Sequence, residues 1–227
     1  MDKNIIYNAD CLDEVEGVAR LPDNSVDMIL TDIPYNEVNR VCGFKGRSMD
    51  KGVADSAIFD IKILLSETVR LCNGSIYIFC GTEQVSQIRS FFVSSGLTTR
   101  VVVWEKTNPA PFNGDRLWLS SIELCVFARK PKATFNGYCK STVLRYPISR
   151  ESKHPTTKPS KLFEEIIKTS SNEGDTVLDC FMGPGTTAIA CMRTGRDYIG
   201  WEKEKDYYDI CMNRIEEEQK KLDVRWF

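Results

Sequence analysis

Short apolar runs alternate with longer amphipathic stretches along this chain, and that alternation restricts the fold more than any other feature of the sequence. Parallel strands buried on both faces read as near-continuous apolar runs, and each needs a crossover connection, usually a helix, to reach the next. The runs Asn4–Asn8, Val26–Thr31, Ser75–Cys80, Thr98–Trp104, Ile122–Ala128, Thr176–Cys180 and Asp197–Glu202 read as strands. Most are rich in Val, Ile, Leu, Tyr or Phe. Leu12–Arg20, Ala57–Cys72, Thr82–Ser95, Pro159–Ser170, Thr186–Arg193 and Lys205–Leu222 read as helices, the last with a long charged face that suggests it projects from the body. The expectation is an α/β fold with a mostly parallel, seven-stranded sheet and helices on both faces. At 227 residues the length fits one large domain or two small ones.

Several classes are excluded by composition. The chain is 42% hydrophobic and 27% charged, ordinary globular values that rule out a disordered chain, a collagen and a coiled-coil rod. Acidic residues number 32 and basic residues 30, so any contact with nucleic acid must come from a local basic patch. No apolar stretch approaches the length of a membrane span. The start, Met1-Asp2-Lys3-Asn4, lacks the apolar core of a signal peptide. Nine cysteines without a single Cys-x-x-Cys pair read as reduced, mostly buried thiols of a cytoplasmic protein, with neither a disulfide frame nor a metal site.

Two stretches break the alternation. Residues 36–55 are polar and carry Gly43, Gly46 and Gly52, and residues 106–119 carry Asn108-Pro109, Pro111, Asn113-Gly114 and Asp115. Loops of this length are commonly functional. From Arg129 to Lys168 the basic residues far outnumber the acids Glu151, Glu164 and Glu165.

The segment Thr176-Val-Leu-Asp179-Cys180-Phe181-Met-Gly183-Pro-Gly185-Thr186-Thr187-Ala188 runs a buried strand into a glycine-rich turn that opens a helix. Glycines allow the sharp turn and let a ligand lie against the main chain, and Thr186 or Thr187 can cap the helix. Glu202 follows Gly183 by 19 residues, at the end of the next strand, where an acid can accept hydrogen bonds from both hydroxyls of a ribose. Strand, turn, helix, strand and terminal acid in that order make a nucleoside site. Gly183-Pro-Gly185-Thr-Thr-Ala188 also satisfies the dinucleotide fingerprint, so an NAD-linked oxidoreductase is a rival. Only 42 residues follow Gly185, whereas a dinucleotide domain more often begins with its fingerprint.

A second strand, Val26-Asp-Met-Ile-Leu-Thr31, ends in Asp32-Ile33-Pro34-Tyr35. In open α/β sheets ligands lie beyond the carboxyl ends of strands, so Asp32 and Gly183 can be brought together. The Asp32 carboxylate and the Ile33 carbonyl are two acceptors that suit the two N–H donors of an exocyclic amine and so direct its nitrogen lone pair at an electrophile. Pro34 fixes the backbone, and Tyr35 offers a face for a planar base. A third segment, Lys153-His154-Pro155-Thr156-Thr157-Lys158-Pro159, precedes a helix and has hydroxyls and a cation suited to a carboxylate. His154 is the only histidine, with no nucleophile or metal ligands to pair with.

Together these residues resemble the amino-group DNA methyltransferases, which make N6-methyladenine or N4-methylcytosine, in the permuted β arrangement whose catalytic motif precedes the cofactor glycines. Asp32-Ile33-Pro34-Tyr35 matches the family's Asp/Ser-Pro-Pro-Tyr, Asp179 to Thr187 matches its Asp-Pro-Phe-x-Gly-Ser-Gly-Thr-Thr, and His154 to Pro159 matches its His-Pro-Thr-x-Lys-Pro. Ile33, Cys180 and Pro184 depart from those patterns, and Pro184 removes one backbone N–H from the turn. The resemblance implies a Rossmann-like, doubly wound methyltransferase fold, one methyltransferase domain over residues 1–227, and S-adenosylmethionine (SAM) as cofactor. By match, Glu202 takes the ribose, and Asp10 with Cys11 the adenine. Asp179, Phe181, Gly183, Gly185, Thr186 and Thr187 line the pocket, and His154, Thr156 and Lys158 lie near its methionine end. Asp32, Pro34 and Tyr35 hold the target amine of a base flipped from the helix, with direct transfer from sulfonium to nitrogen.

Double-stranded DNA is then the partner, gripped by Arg40, Lys45 and Arg47, by Lys106, Asn108 and Arg116, and by a short basic insert at about 129–153. With little room for a separate recognition domain, the readings are a short target site or a homodimer whose second copy helps grip DNA. Asp at the first motif position favours adenine N6 over cytosine N4. A catalytically dead DNA-binding relative is the remaining alternative, given Ile33 and Pro184.

Overall fold

The computed structural model describes residues 2–35, 59–111, 115–149 and 157–224. Its strands are β1 (Ile5–Tyr7), β2 (Val26–Asp32), β3 (Cys72–Cys80), β4 (Thr98–Lys106), β5 (Ile122–Arg129), β6 (Val143–Tyr146), β7 (Thr176–Asp179) and β8 (Asp197–Trp201). The helices are α1 (Ile61–Leu71), α2 (Val85–Ser94), α3 (Ser160–Ser170), α4 (Thr186–Thr194) and α5 (Lys205–Val224). All the strands join one 8-stranded sheet in the order β1-β8-β7-β2-β3-β5-β4-β6. Only β5 runs against its neighbours; every other pairing is parallel.

Alternation along the strands explains the layers. In β3, Ile76 and Ile78 face one side with Leu64 and Leu65 of α1 and Ile88 and Phe92 of α2. Tyr77 and Phe79 face the other with Phe163 and Ile166 of α3, Ala188 of α4 and Cys211 of α5. Burying each of the larger side chains is worth about 2 kcal/mol, and both layers need the helices to complete them.

The sheet has eight strands where the sequence suggests seven. The addition, β6, is a four-residue edge strand inside the basic insert, paired with β4 from Val103↔Val143 to Lys106↔Tyr146. Trp104 Nε1 donates to the Tyr146 carbonyl at 2.9 Å and fixes it there. The expected helix over Leu12–Arg20 shrinks to one 3₁₀ turn, Val18–Arg20. Asp10 Oδ1 accepts the Leu12 N–H at 2.9 Å, and Asp13 Oδ1 accepts those of Val15 and Glu16 at 2.9 and 2.8 Å. These local side-chain bonds compete with a helix ladder. Helix α5 does not project: Cys211 and Glu218 are buried, and the Glu218 carboxylate meets Arg193 of α4 in a two-pronged pair at 2.7 and 2.8 Å. No helix among the described residues is long and apolar enough to cross a membrane.

From β2 the chain moves by α1 to β3 on one side; from β7 it moves by α4 to β8 on the other. The strand order therefore diverges between β2 and β7, the kind of switch point at which open α/β sheets place their ligands.

Candidate functional site

The exits of β2 and β7 lie side by side at this divergence, in register at Met28↔Val177 and Ile29↔Leu178. Thr31 Oγ1 donates to Asp179 Oδ1 at 2.7 Å and ties the two ends together. The Phe181 N–H also donates to Asp179 Oδ1, at 3.0 Å, and the Thr187 hydroxyl donates to Oδ2. Burial pushes the Asp179 carboxyl up to about 6 against the pull of these donors. Asp179 and Thr187 thus brace the turn from inside the fold.

The turn itself is held from β8. The Gly183 N–H donates to Glu202 Oε2 at 2.8 Å, and the Glu204 N–H donates to Oε1 at 2.8 Å. Burial raises the Glu202 carboxyl above its ordinary value. Gly183 and Gly185 have φ of +53° and +82°, left-handed values that favour glycine. A Cβ on Gly183 would meet nothing nearer than the Phe181 carbonyl at 4.0 Å, leaving that side open, whereas one on Gly185 would lie 2.6 Å from Cys211 Sγ. Thr186, at the first position of α4, has a buried hydroxyl with no partner among the described residues. The Phe181 ring meets Phe59 with centroids 5.2 Å apart, a partner the sequence reading did not include.

The segment after β1 closes one rim. Asn8 Nδ2 donates to the Glu202 and Lys203 carbonyls at 2.9 and 3.1 Å, and Lys203 Nζ pairs with Asp10 Oδ2 at 3.1 Å. Cys11 is buried beside Cys180, which carries its thiol next to the turn. Asp10, Cys11, Phe181, Gly183 and Glu202 therefore share one end of the sheet.

Across the seam, Asp32 belongs to a cluster of charges larger than the sequence indicated. Tyr35 OH lies 2.8 Å from Asp32 Oδ1 and 3.1 Å from Glu123 Oε2. Lys158 Nζ pairs with Asp32 Oδ2, and with Glu123 Oε2 at 3.0 Å. Lys106 Nζ holds the other Glu123 oxygen, Oε1, at 3.0 Å. Two cations thus balance two carboxylates around one phenol. Burial would raise the Glu123 carboxyl, but Lys158 and Lys106 outweigh it and hold the group at about 2. Burial moves Asp32 upward, opposed by Lys158 and reinforced by Glu123. Burial also lifts the Tyr35 phenol, and the two carboxylates add to that shift, so it stays protonated. The backbone beneath is stapled: the Ile33 N–H donates to the Phe79 carbonyl at 3.1 Å, and Gln84 Nε2 donates to the Pro34 carbonyl at 3.0 Å.

Some expected contacts find other partners. The Lys158 side chain is only 5% exposed and its ammonium lies on the Asp32 cluster, whereas the sequence placed it at a cofactor carboxylate. Lys106, expected on DNA, turns inward to Glu123 and the Ser120 carbonyl. Asn108 Oδ1 accepts the Ile148 N–H at 2.6 Å and ties the exit of β4 to the segment after β6. Arg116 stands exposed beside Asp115. Arg40, Lys45, Arg47, His154 and Thr156 lie outside the described residues. Glu123 is the functional candidate that sequence reasoning missed. Its signal is an acid in the second position of the otherwise apolar run Ile122-Glu-Leu-Cys-Val-Phe-Ala128.

Four likenesses to known proteins bear on this arrangement. A family model described as DNA methylase matches residues 135–213. The Type II methyltransferase M2.DpnII of Streptococcus pneumoniae is 30% identical over 236 residues, covering 91% of this chain and 88% of its own. The crystal structure of an M1.HpyAVI–SAM complex superposes with a TM-score of 0.72 at 30% identity, over 92% of this chain and 98% of that one. The PvuII DNA methyltransferase, titled cytosine-N4-specific, gives 0.71 over 93% and 86% of the two chains; at 16% identity that likeness speaks for the fold alone.

Proposed function

This chain belongs to the DNA methylase family of SAM-dependent amino-group methyltransferases, and from that premise we propose that it methylates the N6 amine of adenine in duplex DNA. One observation carries the reading: Asp32 and the glycine turn emerge from neighbouring parallel strands, joined by the Thr31–Asp179 hydrogen bond at 2.7 Å. An amine held at the first and a sulfonium held at the second would meet across the seam. Asp at the first motif position favours adenine over cytosine.

The residues present fit SAM. The open side of Gly183 admits a ligand against the main chain, and the buried Thr186 hydroxyl lacks a partner that a ligand would provide. Glu202 has lone pairs left for ribose hydroxyls beyond the two N–H groups it already receives. Asp10, Cys11 and Phe181 would complete the nucleoside end. When bound, SAM supplies an electrophilic methyl group on a sulfonium. The chain's own task is to hold the acceptor: Asp32 accepts a hydrogen bond from the target amine and would take that proton as the nitrogen gains its methyl group, the Ile33 carbonyl accepts the second N–H, Pro34 fixes the turn and Tyr35 lies along the flipped base. The rate then comes from positioning and charge alignment. We assign the whole chain to one methyltransferase unit, with Arg40, Lys45, Arg47, Asn108 and Arg116 contacting the duplex.

Asp32→Ala should lower methyl transfer to duplex DNA by about 1,000-fold while SAM affinity, measured by isothermal titration, stays within a few-fold of wild type. A variant with the wild-type rate overturns the assignment. Sequencing of the product should report N6-methyladenine; N4-methylcytosine would move the protein to the cytosine group. We further propose that two copies share a duplex. Sedimentation at micromolar concentration should then give a dimer with DNA present, and a strict monomer rules it out.

A further inference from the structure

The cluster around Asp32 poses a problem that the motif alone does not. The Asp32 carboxylate, which the proposed function needs for one N–H of the target amine, already receives a donor on each oxygen, Tyr35 OH on Oδ1 and Lys158 Nζ on Oδ2, so each oxygen keeps a lone pair but accepts a further N–H more weakly. Neither donor can simply leave. Lys158 is buried, and a buried ammonium stripped of its partner is strongly unfavourable. The Tyr35 hydroxyl has a single proton and serves one acceptor at a time. Each, however, already lies within bonding distance of a second acceptor, and for both it is the same atom, Glu123 Oε2, at 3.1 and 3.0 Å.

Resting on that functional reading, we infer that Glu123 is a positioning residue for methyl transfer, the acceptor onto which Tyr35 and Lys158 pivot so that the Asp32 carboxylate becomes the stronger acceptor for the target amine. The exchange keeps every group partnered. When the amine N–H arrives at Asp32, the Tyr35 proton turns to Glu123 Oε2, and Lys158 moves its weight to the same oxygen. Lys106 on Oε1 keeps Glu123 itself in place at 3.0 Å. The strand direction makes this possible. Because β5 is antiparallel to β3, its second residue reaches the edge where the parallel strands end, with Cys80 opposite Leu124.

Glu123 is not a proton acceptor in this scheme. A carboxyl held at about 2 by two cations stays ionised throughout the working range. The groups that act on Asp32 are Tyr35 from its own turn, Lys158 from the segment before α3, Glu123 from β5 and, across the seam, Asp179 from β7. Cys125, on β5, is also influenced by Asp32. Of these, Glu123 pushes the Asp32 carboxyl upward. Neutralising Glu123 must therefore lower the pH at which Asp32 ionises.

The test uses the full chain in single-turnover methyl transfer at saturating SAM, followed across pH. Glu123→Gln should slow transfer by about 100-fold, leave SAM affinity unchanged, and move the acid limb of the rate profile to lower pH. Glu123→Asp keeps the charge but draws it back by one methylene; it should slow transfer by about 10-fold with the acid limb in its wild-type place. Either variant at the wild-type rate overturns the inference, as does a slow Glu123→Gln whose acid limb has not moved, since a packing defect alone would behave so. If Glu123→Gln fails to bind SAM, Glu123→Asp carries the test. Wild-type protein that transfers no methyl group would instead sink the functional reading beneath it, so the two failures are told apart.

Discussion

Gly183 and Gly185 stand two positions apart in one turn and owe their identity to different forces. Both adopt left-handed backbone, but only Gly185 is also pressed against a neighbour, with Cys211 Sγ 2.6 Å from where its Cβ would lie. Gly183→Ala should therefore cost about 1 kcal/mol of backbone strain. Gly185→Ala should cost about 3 kcal/mol, because crowding adds to strain. Urea denaturation of the two variants measures the difference, and adding Cys211→Ala should recover much of the excess in Gly185→Ala but nothing in Gly183→Ala. At this scale the sequence disclosed chemistry better than partnership. Asp32, Gly183 and Glu202 were legible because strand, turn and acid follow one another along the chain. Lys158 was legible as a cation near a motif, yet its partners Asp32 and Glu123 come from other strands. Glu123 was hidden altogether: a single acid in an apolar run has no local pattern, and its meaning comes from Tyr35, Lys106 and Lys158, which only the folded sheet gathers around it.

Elements were readable in proportion to how far their own periodicity decided them. Helices α1, α2, α3 and α4 lie where the apolar spacing puts them, and α1 begins at Asp60, whose carboxylate caps the Lys62 N–H at 2.8 Å. The stretch after β1 misled because its spacing is compatible with a helix while Asp10 and Asp13 bond the backbone first. Strand β6 escaped because four residues carry too little alternation to register. What makes it a strand is the exposed edge of β4 and the Tyr146 hydroxyl on Glu165 of α3 at 2.6 Å. Helix α5 looked detachable because its composition is so charged. The contact that retains it, Arg193 with Glu218, joins two charges 25 residues apart.

At the scale of the molecule, the seam between β2 and β7 is where electrostatics and architecture meet. The Asp179 carboxyl, pushed up to about 6 by burial, binds its proton more tightly in the fold than in the unfolded chain. Its contribution to stability is thus complete below about pH 4 and declines as pH rises through about 6, by an amount on the order of 3 kcal/mol. Asp179→Asn, which cannot ionise, should flatten the stability profile between pH 4 and 7 relative to wild type. Thermal melts across that range read the difference in slope, and parallel profiles would refute it. The parallel sheet as a whole was legible, since buried strands with helical connections admit few other arrangements, but the order of the strands was not, because nothing in a strand's own sequence says which neighbour it will choose. That choice sets a timetable. β1 pairs only with β8, Ile5 lying opposite Ile199. At a ribosomal pace of roughly 5–20 residues per second, the nascent Ile5–Tyr7 segment waits about ten to forty seconds for its mate to be translated, so this edge of the sheet closes last.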